Sequence, residues 1–298
     1  MTTSRRGAGL VLISAAGFGV SPVFAKAAYA AGVTVPTMLS VRFAIAAAVL
    51  WAVTAWRRPG WPPRRVLLAG VGLGAVGYAS QSALFFGALA RIDASLAALL
   101  LYVYPVLVTA LAVVLRRETP NRRRLVALGC SAVGVLLLLG TGGGGGTGGS
   151  VAVSGVLLAL GAAAMYALYL TIADGLPAQV DLYLLSAVVC TAAAVSLGSA
   201  GLVTGSLRAP AEPIGWLWIV LLALVSTVLP VSCLFAGLRA VGAPTAAILS
   251  CAEPAVTVAL TVVVYGERLS PGQAVGAVVI LGAVAALRLR SGLVEQTG

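Results

Sequence analysis

Ser250, Glu253, Thr257 and Thr261 are spaced three, four and four residues apart, so on a helix they form one polar stripe. Their neighbours are apolar, and Pro254 follows the acid directly. A carboxyl in such a run is costly to keep as a bare ion, so it calls for a partner, a cavity or a proton. Pro254 also frees a carbonyl one turn back, near Ser250, and can kink the helix. Arg42, a third of the way into another apolar run, could meet an anionic solute, pair with Glu253, or reach toward lipid headgroups. Tyr78, Gln81 and Phe85 share one helix face, and Tyr166 and Tyr169 share another. Tyr102 and Tyr104 flank Pro105 and on a continuous helix point in different directions. Such groups could line a pocket for a small, partly polar molecule, or pack with their hydroxyls hydrogen-bonded. The candidates for substrate contact or coupling are therefore Glu253, Arg42, Tyr78, Gln81, Tyr104, Tyr166, Ser250 and Thr257. Pro105, Pro254 and Pro230 are candidate gates or hinges, with Thr227 and Pro230 marking a break in their helix.

Other chemistries are poorly served. The chain has no histidine, which removes imidazole metal sites and Ser/His/Asp triads. Cys130, Cys190, Cys233 and Cys251 all sit in apolar runs without a CxxC pair and read as small buried residues. Gly72-Leu-Gly74-Ala-Val-Gly77 matches the dinucleotide fingerprint, but no strand precedes it and no βαβ unit surrounds it. Its glycines suit close helix packing instead. No cofactor, metal or enzymatic activity is expected.

The elements that hold these residues must lie in a bilayer. The chain is 60% hydrophobic and 9% charged, with a mean hydropathy of +1.07. A soluble chain of 298 residues needs far more charge to cover its surface. Long apolar runs favour helices over a membrane barrel. Ten runs are long enough to span: about 8–30, 36–56, 66–90, 94–115, 124–140, 151–173, 180–203, 215–238, 242–264 and 272–289. Ala25-Lys26-Ala27 resembles a signal-peptidase site, but its apolar stretch is longer than a usual signal core. Lys26, near the end of the first run, reads as reaching the headgroups or pairing with a neighbouring helix.

The two halves of the chain echo one another. At an offset of 149 residues, eleven of the thirty positions from 89 to 118 are identical; Pro105 falls on Pro254 and Glu118 on Glu267. Residues 141–150, TGGGGGTGGS, form a flexible linker between units 1–140 and 151–298. Five spans per unit is an odd number, so the second unit enters the membrane from the opposite side and the repeats are inverted. With both termini inside, 14 arginines fall in inside segments and three, Arg91, Arg208 and Arg268, in outside loops. The net charge of +11 thus reflects membrane topology, and no nucleic-acid partner is expected. Glu118 and Glu267, just past spans four and nine, read as structural caps or ion-pair partners near the membrane face.

Nearly the whole chain resembles the EamA family of the drug/metabolite transporter superfamily, with two EamA domains. The likeness runs through Pro36 and VRFAIAAAVL with Arg42, FFGALARIDASLAALL, Pro105, and Glu118 followed by Gly129 and Gly134. It resumes at GLRAVGAPTAAILS, Glu253-Pro254, YGERLS, Gly276 and Gly282. Arg116-Arg117 stands where the family more often has Leu-Gly, and Glu118 to Gly129 spans eleven residues against nine from Glu267 to Gly276. The resemblance implies ten helices in two inverted five-helix repeats around a central cavity. It also implies export or exchange of small metabolites, often amino acids, drugs or nucleobases. The expected protein is a secondary carrier of the cell membrane, with bilayer lipid and a small-molecule substrate as partners, and Glu253 as a candidate proton-coupling group. A flippase-type or lipid-processing protein, or a membrane scaffold, is the alternative. Substrate, direction, coupling ion and oligomeric state are not written in the sequence.

Overall fold

A computed structural model describes residues 2–115, 122–140, 152–177 and 180–294. Glu118 and the glycine linker 141–150 lie outside the described residues. Among those described, every regular element is a helix. In chain order they are α1 (Thr2–Gly19), α2 (Ser21–Ala30), α3 (Val35–Arg57), α4 (Arg64–Gly72), α5 (Ala79–Leu89), α6 (Ala94–Leu101), α7 (Tyr104–Val114) and α8 (Arg122–Gly140). They continue with α9 (Val153–Ala173), α10 (Leu182–Val203), α11 (Pro213–Ala223), α12 (Leu229–Leu249), α13 (Ala252–Tyr265) and α14 (Pro271–Val294). Short π-helical segments, Leu73–Tyr78 and Leu224–Val228, join α4 to α5 and α11 to α12.

Seven continuous stretches among the described residues are long and apolar enough to cross a membrane: Arg5–Ala30, Val35–Arg57, Arg64–Leu89, Ala94–Val114, Val153–Ala173, Leu182–Val203 and Pro213–Gly242. Ala252–Tyr265 and Pro271–Gly282 are shorter apolar helices. The surface carries the signature of lipid contact. Val203 is 88% exposed and Val263 81%, while Arg42, Gln81, Thr257 and Thr261 are buried. Large apolar side chains cover the outside as well as the core, because hydrocarbon is the outer solvent here, and the buried polar residues sit among them.

Several spans are broken, and the breaks have local causes. α6 ends at Leu101 and α7 starts at Tyr104, with Pro105 in its first turn. α12 ends at Leu249 and α13 starts at Ala252, just before Pro254. A proline inside a span lacks the N–H that would continue the ladder and clashes with the carbonyl four residues back. Gly242, at φ 77° and ψ 161°, puts a further non-helical residue inside α12, a conformation that only glycine adopts at low cost. The two π-helical segments occupy corresponding places in the two halves, since Tyr78 shifted by the repeat offset of 149 lands on Thr227.

Packing joins the first half of the chain to the second. α1 packs on α12, α3 on α10, α5 on α9, α6 on α13 and α8 on α14. The α3–α10 pair is antiparallel. Thr37, near the start of α3, donates to the Arg208 carbonyl beyond the end of α10 (3.0 Å), while Arg57, at the end of α3, pairs with Asp181 at the start of α10 (3.6 Å). Asp181 also accepts from the N–H groups of Tyr183 and Leu184, so one carboxylate caps α10 and ties it to α3. Small residues allow these close approaches. A Cβ at Gly74 would run into the Val189 carbonyl of α10, and one at Gly134 would meet Ile280 and the Gly276 carbonyl of α14. Of the fingerprint-like glycines, Gly74 and Gly77 serve helix contact, against α10 and Tyr169 of α9, while Gly72 faces open space.

Candidate functional site

The broken helices surround a cavity of about 220 Å³. All eight residues expected to contact substrate or carry coupling line it: Arg42, Tyr78, Gln81, Tyr104, Tyr166, Ser250, Glu253 and Thr257. Pro254 lines it as well, whereas Pro105, Pro230 and Glu267 are not among the lining residues. The wall draws on α3, the α4–α5 junction, α5, α6, α7 and α9, and on α12, α13 and the Ser250 break between them.

α1 and α2 contribute Ser14, Phe18, Ser21 and Pro22, a surface that sequence reasoning missed. The signal was present: Ser14, Phe18 and Ser21 are spaced four and three apart and share a helix face. Serine in an apolar run is weak evidence by itself, because it can bond its own backbone. Tyr102 also lines the cavity. The helix break reorients it, so that its ring stands edge-on to Tyr104 with centroids 5.7 Å apart. A continuous helix would have pointed the two apart.

Tyr102 reinforces the break before Pro254. Its hydroxyl donates to the Ser250 carbonyl (2.7 Å), the acceptor one turn before the proline, and lies 3.4 Å from Glu253 Oε2. The first half thereby adds a second donor to a carbonyl that the Glu253 N–H already reaches (3.1 Å) in place of the bond that proline cannot make. Thr257, one turn beyond Glu253, donates to the Gly19 carbonyl at the end of α1 (2.9 Å). Pro230 packs beside Gly17, where a Cβ would strike its ring. Three tyrosines of the wall, Tyr78, Tyr104 and Tyr166, are joined into an aromatic chain through Tyr169 behind it. Tyr104 and Tyr166 have centroids 4.5 Å apart, Tyr166 stacks on Tyr169 at 6.1 Å, and Tyr169 meets Tyr78 at 5.8 Å.

Arg42 is 4% exposed. Its Nε donates to Thr227 Oγ1 (2.8 Å) and its Nη2 to the Ser226 carbonyl (3.3 Å), both in the second π-helical segment. Thr227 in turn donates to the Leu222 carbonyl, so its oxygen is aimed at the guanidinium. The guanidinium lies over Phe86 (5.0 Å) and Phe43 (5.5 Å). Nη1 is buried and makes no hydrogen bond among the described residues. The ion pairs among those residues join Lys26 to Glu267 and Asp93, and Arg57 to Asp181; none includes Arg42.

Away from the cavity, Glu267 closes a second polar cluster. Gly266 ends α13 in the left-handed conformation, which turns the chain so that Glu267 reaches the start of α6. Its carboxylate accepts from the N–H groups of Ala94 and Ser95 (both 2.9 Å), from Ser95 Oγ (2.7 Å) and from Lys26 Nζ (3.0 Å). A residue beyond α13 thus caps a helix of the first half, and its charge suits that helix N-terminus. Burial pushes the Glu267 carboxyl up, but the Ser95 hydroxyl, the two N–H groups and Lys26 together outweigh it and hold it below the usual carboxylate range. Asp93 beside it is shifted the other way, raised by burial and by the Glu267 charge, with Lys26 opposing.

Apolar helices with a lipid-facing exterior, around a cavity lined by both polar and apolar side chains, define a multi-pass membrane protein. Comparison with known proteins agrees. The EamA-like transporter family profile matches twice, over residues 5–140 and 153–289. The chain belongs to the EamA family of the drug/metabolite transporter superfamily and is a membrane transporter. It is 26% identical over 276 residues to the uncharacterized transporter YcbK of Bacillus subtilis, covering 89% of this chain and 87% of that one. A solved crystal structure superposes with a TM-score of 0.65 at 20% identity, over 96% of this chain and 98% of its own, which is a likeness of fold.

Proposed function

We propose that the protein is a secondary carrier of small metabolites in the cell membrane, working by alternating access as an exporter or exchanger. The observation that carries this is the cavity, where Arg42, Tyr78 and Gln81 from the first half face Ser250, Glu253 and Thr257 from the second. A site walled by both halves opens to either side when one half rocks against the other. In this reading ten spans form two inverted five-helix repeats, 1–140 and 151–298, joined by the linker 141–150, with both termini in the cytoplasm. The antiparallel α3–α10 packing and the excess of arginine on the inside support it. The breaks at Pro105, Pro230 and Pro254 are the hinges.

Glu253 couples movement to a proton. It lines the cavity beside a proline break, and its carboxyl touches the Tyr102 hydroxyl that bridges the two halves at this point. Protonation would change that contact as the cavity changes sides.

The test is untargeted metabolite profiling of the medium from cells expressing the wild type, Glu253→Gln or an empty vector at matched protein levels. The expected result is a solute enriched outside with the wild type, with flux from Glu253→Gln at least about tenfold lower and flat with pH. Enrichment with both proteins and an unchanged pH profile would remove the coupling role. No enrichment with either would count against export of any metabolite these cells make, and uptake assays would decide import.

A further inference from the structure

We infer that Arg42 is the seat of an oxyanion, so that the transported solute carries a carboxylate or a like group; this rests on the carrier reading above. A guanidinium has five N–H donors. The structure spends one on Thr227 Oγ1 and one on the Ser226 carbonyl. Nη1 has no hydrogen-bond partner among the described residues, although it is buried. Leaving a buried charged donor unmade costs more than a typical hydrogen bond gains, so a purely structural arginine would be expected to spend that nitrogen too.

The geometry resembles a receptor more than a strut. The guanidinium sits over the Phe86 and Phe43 rings, while Thr227 and Ser226 accept from Nε and Nη2. The two hydrogen bonds through Nε and Nη2 orient the guanidinium before any ligand arrives and leave the Nη1 N–H groups free among the described residues. A planar donor fork of this kind matches a carboxylate, which it can bind through two parallel hydrogen bonds. Arg42 lines the cavity, whereas Thr227 and Ser226 are not among its lining residues. A buried cation with no ion pair among the described residues needs counter-charge, and the solute supplies it. Tyr78, Tyr104 and Tyr166 line the same cavity and offer the body of the solute an aromatic wall. The class assigned is thus a small carboxylate on an apolar or aromatic frame.

The probes are benzoate, its neutral analogue benzamide and its cationic analogue benzylamine, added to purified protein in lipid nanodiscs. The readout is the melting temperature against probe concentration. Benzoate should stabilise the wild type, with benzamide and benzylamine at least about tenfold weaker, as expected for loss of charge-assisted hydrogen bonds. Arg42→Gln should lose the benzoate response, and Arg42→Lys should retain a weakened one. No response to benzoate, an equal response to benzamide or benzylamine, or an undiminished response in Arg42→Gln would overturn the inference. If Arg42→Gln does not fold, the benzoate–benzamide comparison in the wild type decides alone. Metabolite profiling separates the two readings. Exported solutes lacking an oxyanion would overturn the role of Arg42 and leave the carrier standing. Selective benzoate binding without flux of any solute would do the reverse.

Discussion

Single residues in this protein act mainly by satisfying groups on the other half of the chain. Glu267 is the clearest case, because four donors from α2 and α6 converge on one carboxylate. Glu267→Gln removes the charge that Lys26 and the start of α6 were arranged around. It should cost about 3 kcal/mol, the size for breaking a buried ion pair, and lower the melting temperature in nanodiscs. The pH dependence has a definite sign. The folded carboxyl is held below its ordinary value, so its stabilisation is fully present above the usual carboxylate range and is lost as pH falls through that range toward the folded value. The gap between wild type and Glu267→Gln should therefore be wide at neutral pH and close below about pH 4, the ordinary glutamate value. Asp93 has the opposite sign, since folding disfavours its charged form. Asp93→Asn should leave the neutral-pH melting temperature unchanged or raise it, and a clear fall would mean that its contact with Lys26 at 4.0 Å outweighs burial.

At the scale of elements, the main theme is the broken helix. Pro105 and Pro254 announced both midspan breaks, because proline removes a donor wherever it stands. The sequence did not show what would meet the carbonyl left at Ser250. The Glu253 N–H meets it locally, and the second donor is Tyr102, 148 residues away, which only packing α6 against the start of α13 brings there. The two π-helical segments were half legible. Thr227 and Pro230 suggested a break in their span, but Leu73–Tyr78 has no proline and carries no local mark of its irregularity. Close helix packing gives a test at this scale. Gly74→Leu would drive a side chain into the Val189 backbone and Ala192 of α10, and overpacking of this kind costs about 1–3 kcal/mol or more. The expected outcome is a lower melting temperature, whereas Gly72→Leu, with open space at its Cβ position, should have little effect.

At the scale of the whole molecule, alternating access requires contacts between the halves to break and re-form. Ser95 Oγ and Thr261 Oγ1 lie 2.6 Å apart and join α6 to α13 in the same cluster as Glu267. A disulfide between Ser95→Cys and Thr261→Cys should form readily and stop flux, with reduction restoring it. Flux that persists through the cross-link would show that these two helices move as one body. Composition and periodicity determined by themselves that the chain lives in a bilayer, that it is helical, and that Glu253, Arg42 and the tyrosines are its unusual residues. Those are properties of local sequence, set by the cost of exposing backbone or charge to hydrocarbon. The repeat offset was legible for the same reason, being a pattern along the chain. What only the tertiary structure decided was partnership. It joined Arg42 to Thr227, Tyr102 to Ser250 and Lys26 to Glu267, and it closed one cavity around residues from both halves. Each pair lies more than 140 residues apart, and which donors meet which acceptors at that distance depends on how helices cross and break.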